Sequence, residues 1–165
     1  MTEQKILIFK LLVFFCLCLY SLNSSSNEII KGKAKIIDGD TIHIGINKIR
    51  LHGIDAPENK QTCNIGEEIW NCGIKSTKTL RNLILEKEVS CKIIDVDRYK
   101  RFIGICFLNK ININQYMVQN GWAIAYRYYS SDFIKDEEFA RKNKVGIWQG
   151  KFQDPYLYRK NNKKN

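Results

Sequence analysis

Isoleucines at alternating positions dominate the first half of this chain beyond residue 30. "KAKIID" (Lys33–Asp38) and "DTIHIGI" (Asp40–Ile46) read as two short strands divided by the turn residues Asp38, Gly39 and Asp40. "NKIRLHGI" (Asn47–Ile54) continues the alternation after a tight turn near Gly45–Asn47, and Pro57, which has no N–H to give a sheet, stops it. From Glu67 the period changes: Ile69, Cys72, Ile74, Leu80, Leu83 and Ile84 fall more like one face of a helix. Alternation returns in "EVSCKIIDV" and "RFIGICFL", a hairpin with "DRYK" at its tip. "INQYMVQNGW" predicts a short helix stopped by Gly121, and Ser131-Asp132 a capped last helix through Glu138, Ala140 and Arg141, ending near Gly146. "QGKFQDPYLYRKNNKKN" shows no period and ends in a basic, asparagine-rich run that reads as mobile. Five strands with a helix between the third and fourth, and about three helices in all, predict an α+β domain built on a small Greek-key barrel of the OB type.

The beginning of the chain breaks this pattern. Lys5 and Lys10 flank and interrupt the apolar stretch "ILIFKLLVFFCLCLYSL", and the small polar run "NSSSN" follows. That is the layout of a secretory signal, assigned here to residues 1–26, so the protein is expected to be exported, to the periplasm or outside the cell. The uninterrupted apolar part, Leu11 to Tyr20, is short against the roughly 20 residues that span a bilayer, and retention as an N-terminal anchor is the alternative. Roughly 140 residues remain, enough for one core, divided into a domain over residues 27–150 and the tail over 151–165.

Losing the leader removes two lysines and one glutamate, which takes the formal charge from +10 to +9. An excess of that size favours polyanionic partners, nucleic acid before anionic membrane. Cys63, Cys72, Cys91 and Cys106 survive processing; an even number in an exported chain reads as disulfides, with three possible connectivities. Cys63–Cys72 with Cys91–Cys106 is favoured, because the second pair brackets the predicted hairpin symmetrically. A zinc site is disfavoured, since no two of these cysteines have the short separation such sites use.

Three segments carry charges that complement one another: "DGDT" (Asp38–Thr41), the stretch holding Arg50, Asp55 and Glu58, and "DVDRYKR" (Asp95–Arg101). Taken singly they are turn residues, a strand terminator and hairpin-tip charges. Together they hold what phosphodiester hydrolysis needs. Arginine's planar fork can grip a phosphate with two parallel hydrogen bonds. A carboxylate can take the proton of an attacking water, and further carboxylates can hold a hard divalent ion that bridges water and phosphate. His43 and His52 read as strand surface residues, and Trp70, Trp122 and Trp148 as packing beside helix signals.

"IIDGDTIHI", "IRLHGIDAPE", "DRYKR" and a late "GIW" occur in the order seen in the staphylococcal nuclease (thermonuclease) family, and the resemblance runs from about Lys33 to Arg159. "WNCGIKSTKTL" resembles the exported bacterial branch. The resemblance implies that Asp40 and Asp55 hold one calcium ion, helped by the backbone carbonyl of Ala56, with Asp38 close behind. It implies that Arg50 and Arg101 grip the scissile phosphate and that Glu58 acts as general base. Arg98 and Tyr99 would meet substrate phosphate, and Tyr126 and Tyr128 would form an aromatic wall for a base. The implied activity is cleavage of DNA and RNA with departure of the 5′-oxygen, leaving 3′-phosphates, by a monomer that needs no stable protein partner. The alternative is a barrel that binds nucleic acid without cutting it. Two positions depart from the family pattern: Ala56 replaces a threonine, and Lys100 stands where many relatives have glycine.

Overall fold

The computed structural model describes residues 28–162, so the leader assigned to 1–26 lies outside the described residues. Strands β1 (Ile29–Ile36), β2 (Thr41–Ile44) and β3 (Asn47–Leu51) form an antiparallel meander, with Ile42 opposite Ile49 and Thr41 opposite Arg50. β7 (Glu88–Val96) pairs with β1 on the other side, and β8 (Phe102–Leu108) pairs with β7. A parallel pairing of β3 with β8, Ile49 beside Phe102 and Leu51 beside Gly104, closes these five strands into a barrel. The expected OB-type α+β barrel is therefore the fold. Alternation explains it: Ile42, Ile44, Ile49, Leu51, Val89 and Cys91 point inward and are buried, while His43 and Lys48 face out between them.

Helix α1 (Cys72–Ile84) sits between the third and fourth barrel strands, as the sequence pattern predicts, but it begins later than Glu67. The residues before it form a hairpin of β5 (Cys63–Ile65) and β6 (Glu68–Trp70), and Ile69, whose spacing suggested a helix face, is 67% exposed. Helix α2 (Ile113–Gln119), preceded by the two-residue strand β9 (Ile111–Asn112), ends as expected at Gly121. Asn114 on its first turn is fully buried; its amide donates to the carbonyls of His52 and Gly104 and accepts from the Cys106 N–H, knitting the end of β3 to β8 where their own ladder stops.

Two further short strands, β4 (Ile54–Asp55) and β10 (Ile124–Ala125), pair with Asp55 opposite Ile124. α3 (Ile134–Lys142) starts without the expected Ser131-Asp132 side-chain cap. Phe133 takes the capping position and buries its ring, so apolar packing outweighs the cap. A 3₁₀ turn follows at Gly146–Gln149.

The segment read as a structureless tail is corrected over residues 151–162. Lys151–Phe152 (β11) pairs with β5, and Pro155–Asn162 forms a fourth α-helix, α4. Asp154 caps it, its Oδ1 accepting from the N–H groups of Tyr156 and Leu157, with Pro155 at the first helical position where a missing N–H costs nothing. Both favoured disulfides are present, Cys63–Cys72 and Cys91–Cys106. Cys91 and Cys106 lie directly opposite each other across β7 and β8, and Cys63–Cys72 ties β5 to the start of α1.

Candidate active site

The turn between β1 and β2 supplies Asp38 and Asp40, the end of β3 supplies Arg50, and β4 with its following loop supplies Asp55, Ala56 and Glu58. Arg50 bridges two buried carboxylates: Nη1 donates to Asp40 Oδ1 and Nη2 to Asp55 Oδ1 at 2.7 Å. Asp40 is further held by the Thr41 hydroxyl (3.0 Å) and, through Oδ2, by the Ala56 N–H (2.8 Å). It is thus the N–H of Ala56 that touches Asp40. Asp38 Oδ1 accepts from the Asp40 N–H at 3.1 Å, so the Asp38-Gly39-Asp40 turn turns both carboxylates toward the same region. Gly39 is required here, because a Cβ would lie 2.1 Å from Ser76 Oγ of α1.

Glu58 is fixed through its backbone. Gln61, fully buried, accepts from the Glu58 N–H with Oε1, returns its own N–H to the Glu58 carbonyl at 2.7 Å, and donates with Nε2 to the carbonyl of Gln153 at 2.6 Å. α1 closes against the same loop: a Cβ on Gly73 would stand 1.7 Å from the Glu58 carbonyl oxygen. Gln61 thus connects the Glu58 loop to the approach to α4.

That approach delivers a residue the sequence reasoning did not single out. Arg159 on α4 donates from Nη1 to Asp55 Oδ1 (2.9 Å) and Glu58 Oε1 (2.8 Å), and from Nη2 to Asp55 Oδ2 (2.8 Å). The available signal was Asp154-Pro155, a capping aspartate before a first-turn proline, which announces a helix. Nothing in sequence spacing pairs position 159 with position 55.

Electrostatics follow from this crowding. Burial, then the neighbouring Asp40 charge, push the Asp38 carboxyl up to about 7. Burial also raises Asp55, against the hydrogen bonds from Arg159. Burial works to lower Arg50, but Asp40 and Asp55 prevail and raise it further. Tyr126 follows β10, its N–H donating to the Gly53 carbonyl, and its hydroxyl is raised by burial and then by the Asp55 charge. Glu137, buried on α3, holds this strand by accepting from the Ala125 N–H at 2.7 Å while pairing with Arg127 and Arg141. Tyr128, 81% exposed, lies 6.4 Å from the Tyr126 ring.

The remaining expected residues gather elsewhere, on the β7–β8 tip. Arg101 is bound through Nε and Nη2 to Asp97 Oδ2, both at 2.8 Å. Its guanidinium and that of Arg98 lie over the Tyr99 ring at 5.6 and 4.9 Å. Among the described residues no hydrogen bond or ion pair joins Arg101 to Asp40, Asp55 or Glu58. Lys100 has φ of +60°, the left-handed conformation that a glycine would take without strain. Even so, Asp97 Oδ1 accepts from the N–H groups of Tyr99 and Arg101, so the turn closes.

The site is thus an OB-type barrel carrying buried carboxylates bridged by arginine, with tyrosines on the segment after β10 alongside. The sequence profile described as "Staphylococcal nuclease homologue" matches residues 48–150. A Haemophilus influenzae protein described as an uncharacterized endonuclease is 35% identical over 156 residues, covering 90% of this chain and 80% of the relative. The Shigella flexneri micrococcal nuclease is 33% identical over 147 residues, 78% of this chain and 79% of its own. A Rhizobium meliloti protein described as succinoglycan biosynthesis protein ExoI is 30% identical over 132 residues, 77% and 69% of the two chains. The chain belongs to the staphylococcal nuclease family.

Proposed function

We propose that the protein is an exported endonuclease that hydrolyses phosphodiester bonds of DNA and RNA with little sequence preference, needs a divalent cation, calcium, and releases the 5′-oxygen to leave 3′-phosphates. The observation that carries this reading is Arg50 seated between Asp40 and Asp55. A guanidinium has five N–H donors, and two are engaged by the carboxylates, so three remain for an anionic oxygen. Its orientation is set by buried partners, the condition under which a donor stabilises developing charge without first reorganising.

The donor set suits a hard cation. Asp38, Asp40, Asp55 and Glu58 offer carboxylate oxygens only, and the two most buried, Asp40 and Asp55, already draw positive charge from arginine. Among the described residues no three His, Cys, Asp or Glu side chains form a ready-made cage. Asp40, Asp55 and the Ala56 carbonyl would hold the ion, which when bound supplies charge that draws a phosphoryl oxygen and a water together. Glu58, 34% exposed at its side chain, would accept the water's proton. Arg101, Arg98 and Tyr99 would meet the substrate from the β7–β8 tip, and Tyr126 and Tyr128 would stack a base. Contacts to phosphates and ring faces read no base edge, which accounts for the low sequence preference. Two disulfides support an oxidising compartment outside the cytosol.

The test is incubation of the purified protein with single-stranded DNA across a metal series. Cleavage with added calcium that ceases on chelation is expected. Unchanged cleavage under chelation would overturn the metal requirement, and retarded but intact DNA in both calcium and magnesium would instead favour a binding module.

A further inference from the structure

Helix α4 is an unusual support for a residue that grips a fully buried carboxylate. Of its residues, Pro155 alone is buried, while Tyr156 and Leu157 are about half exposed, at 48% and 47%. A helix held by so little apolar surface opens at low cost. Yet its Arg159 engages both oxygens of Asp55, which is fully buried, and one oxygen of Glu58. Counting Arg50, Asp55 already accepts three hydrogen bonds from two guanidinium groups. An ionised carboxylate has about four lone-pair sites, so little is left for a metal ion. A divalent ion on the same oxygens would also stand close against the Arg159 charge.

We propose that Arg159 is an internal counter-cation: α4 covers Asp55 and Glu58 in the resting protein, and a divalent cation gains Asp55, and frees Glu58 beside it, by displacing Arg159. This rests on the metal reading above. The resting contact neutralises the buried Asp55 carboxylate, which would otherwise be costly, together with the half-buried Glu58 beside it. It also taxes metal binding by the fraction of time α4 is docked. Displacement leaves Gln61 and β11 in place as the root of the helix, so α4 lifts as a flap from residues 153–154.

The experiment is calorimetric titration of calcium alone into the wild-type protein, Arg159→Ala and Arg159→Lys, with hydrogen exchange of residues 155–162 followed in parallel. Arg159→Ala is expected to bind calcium about 10-fold more tightly, the effect of removing a contact made about nine-tenths of the time. Arg159→Lys, which keeps charge but not the planar fork, is expected between the two. In the wild type, calcium should speed exchange along α4. Equal or weaker affinity in both variants, or α4 amides as protected with calcium as without it, overturns the displacement and leaves the metal reading standing. No calcium uptake by any of the three removes the metal reading and the displacement together.

Discussion

Single residues carry the most local of these claims. Asp40, Arg50, Asp55 and Glu58 stood out as a group because "DGDT" and "RLHGIDAPE" set complementary charges close together, in the order of the nuclease family. Lys100 stood out as a departure from the family's glycine, and its φ of +60° is the left-handed conformation in which a side chain is strained. A side-chain-bearing residue in that conformation costs about 1–2 kcal/mol. Lys100→Gly should therefore raise stability by about 1 kcal/mol after glycine's greater freedom in the unfolded chain is subtracted, read as a shift of the urea midpoint. No gain would mean the Asp97 hydrogen bonds already relieve the turn. Arg159 was not legible at all, because its partners are 101 and 104 residues away and reach it through a side chain.

Among the elements, the barrel strands were readable and the small additions were not. A two-residue strand such as β4 or β10 has no period to detect. The β5–β6 hairpin misled because Ile69 and Cys72 happen to fit helical spacing, although Ile69 points to solvent. Conversely, α4 carries a local start signal in Asp154-Pro155, but no apolar period follows it to mark a helix. The buried Asn114 has a clear cost attached. Asn114→Ala would strand the His52 carbonyl and the Cys106 N–H, both satisfied by that one side chain, and leave the Gly104 carbonyl with the His52 N–H alone. A loss of about 3 kcal/mol is expected from groups that cost about 1–3 kcal/mol when buried without a partner. Denaturant unfolding checks it, and a loss below about 1 kcal/mol would show that the end of β3 does not depend on this bridge.

For the whole molecule, the barrel acts as a frame and its covalent ties keep distant segments in register. Cys91–Cys106 closes a separation of 15 residues across two neighbouring barrel strands. Replacing both with alanine should cost about 3 kcal/mol, the loss expected for a closed loop of that length, again measured by unfolding. The barrel's closing pair, β3 with β8, brings Arg50 beside Ile103, two residues from Arg101, so one frame carries both the acidic centre and the basic hairpin tip. The central claim is that Arg50, fixed by that frame between Asp40 and Asp55, serves the cleavage chemistry. The most direct measurement is the single-turnover cleavage rate of Arg50→Ala on single-stranded DNA at saturating calcium, with the thermal midpoint recorded alongside. The account predicts a rate lower by about 10²-fold or more, the usual cost of losing one fixed donor to developing charge, in a protein that remains folded. A folded variant cutting within a few-fold of the wild-type rate would contradict it.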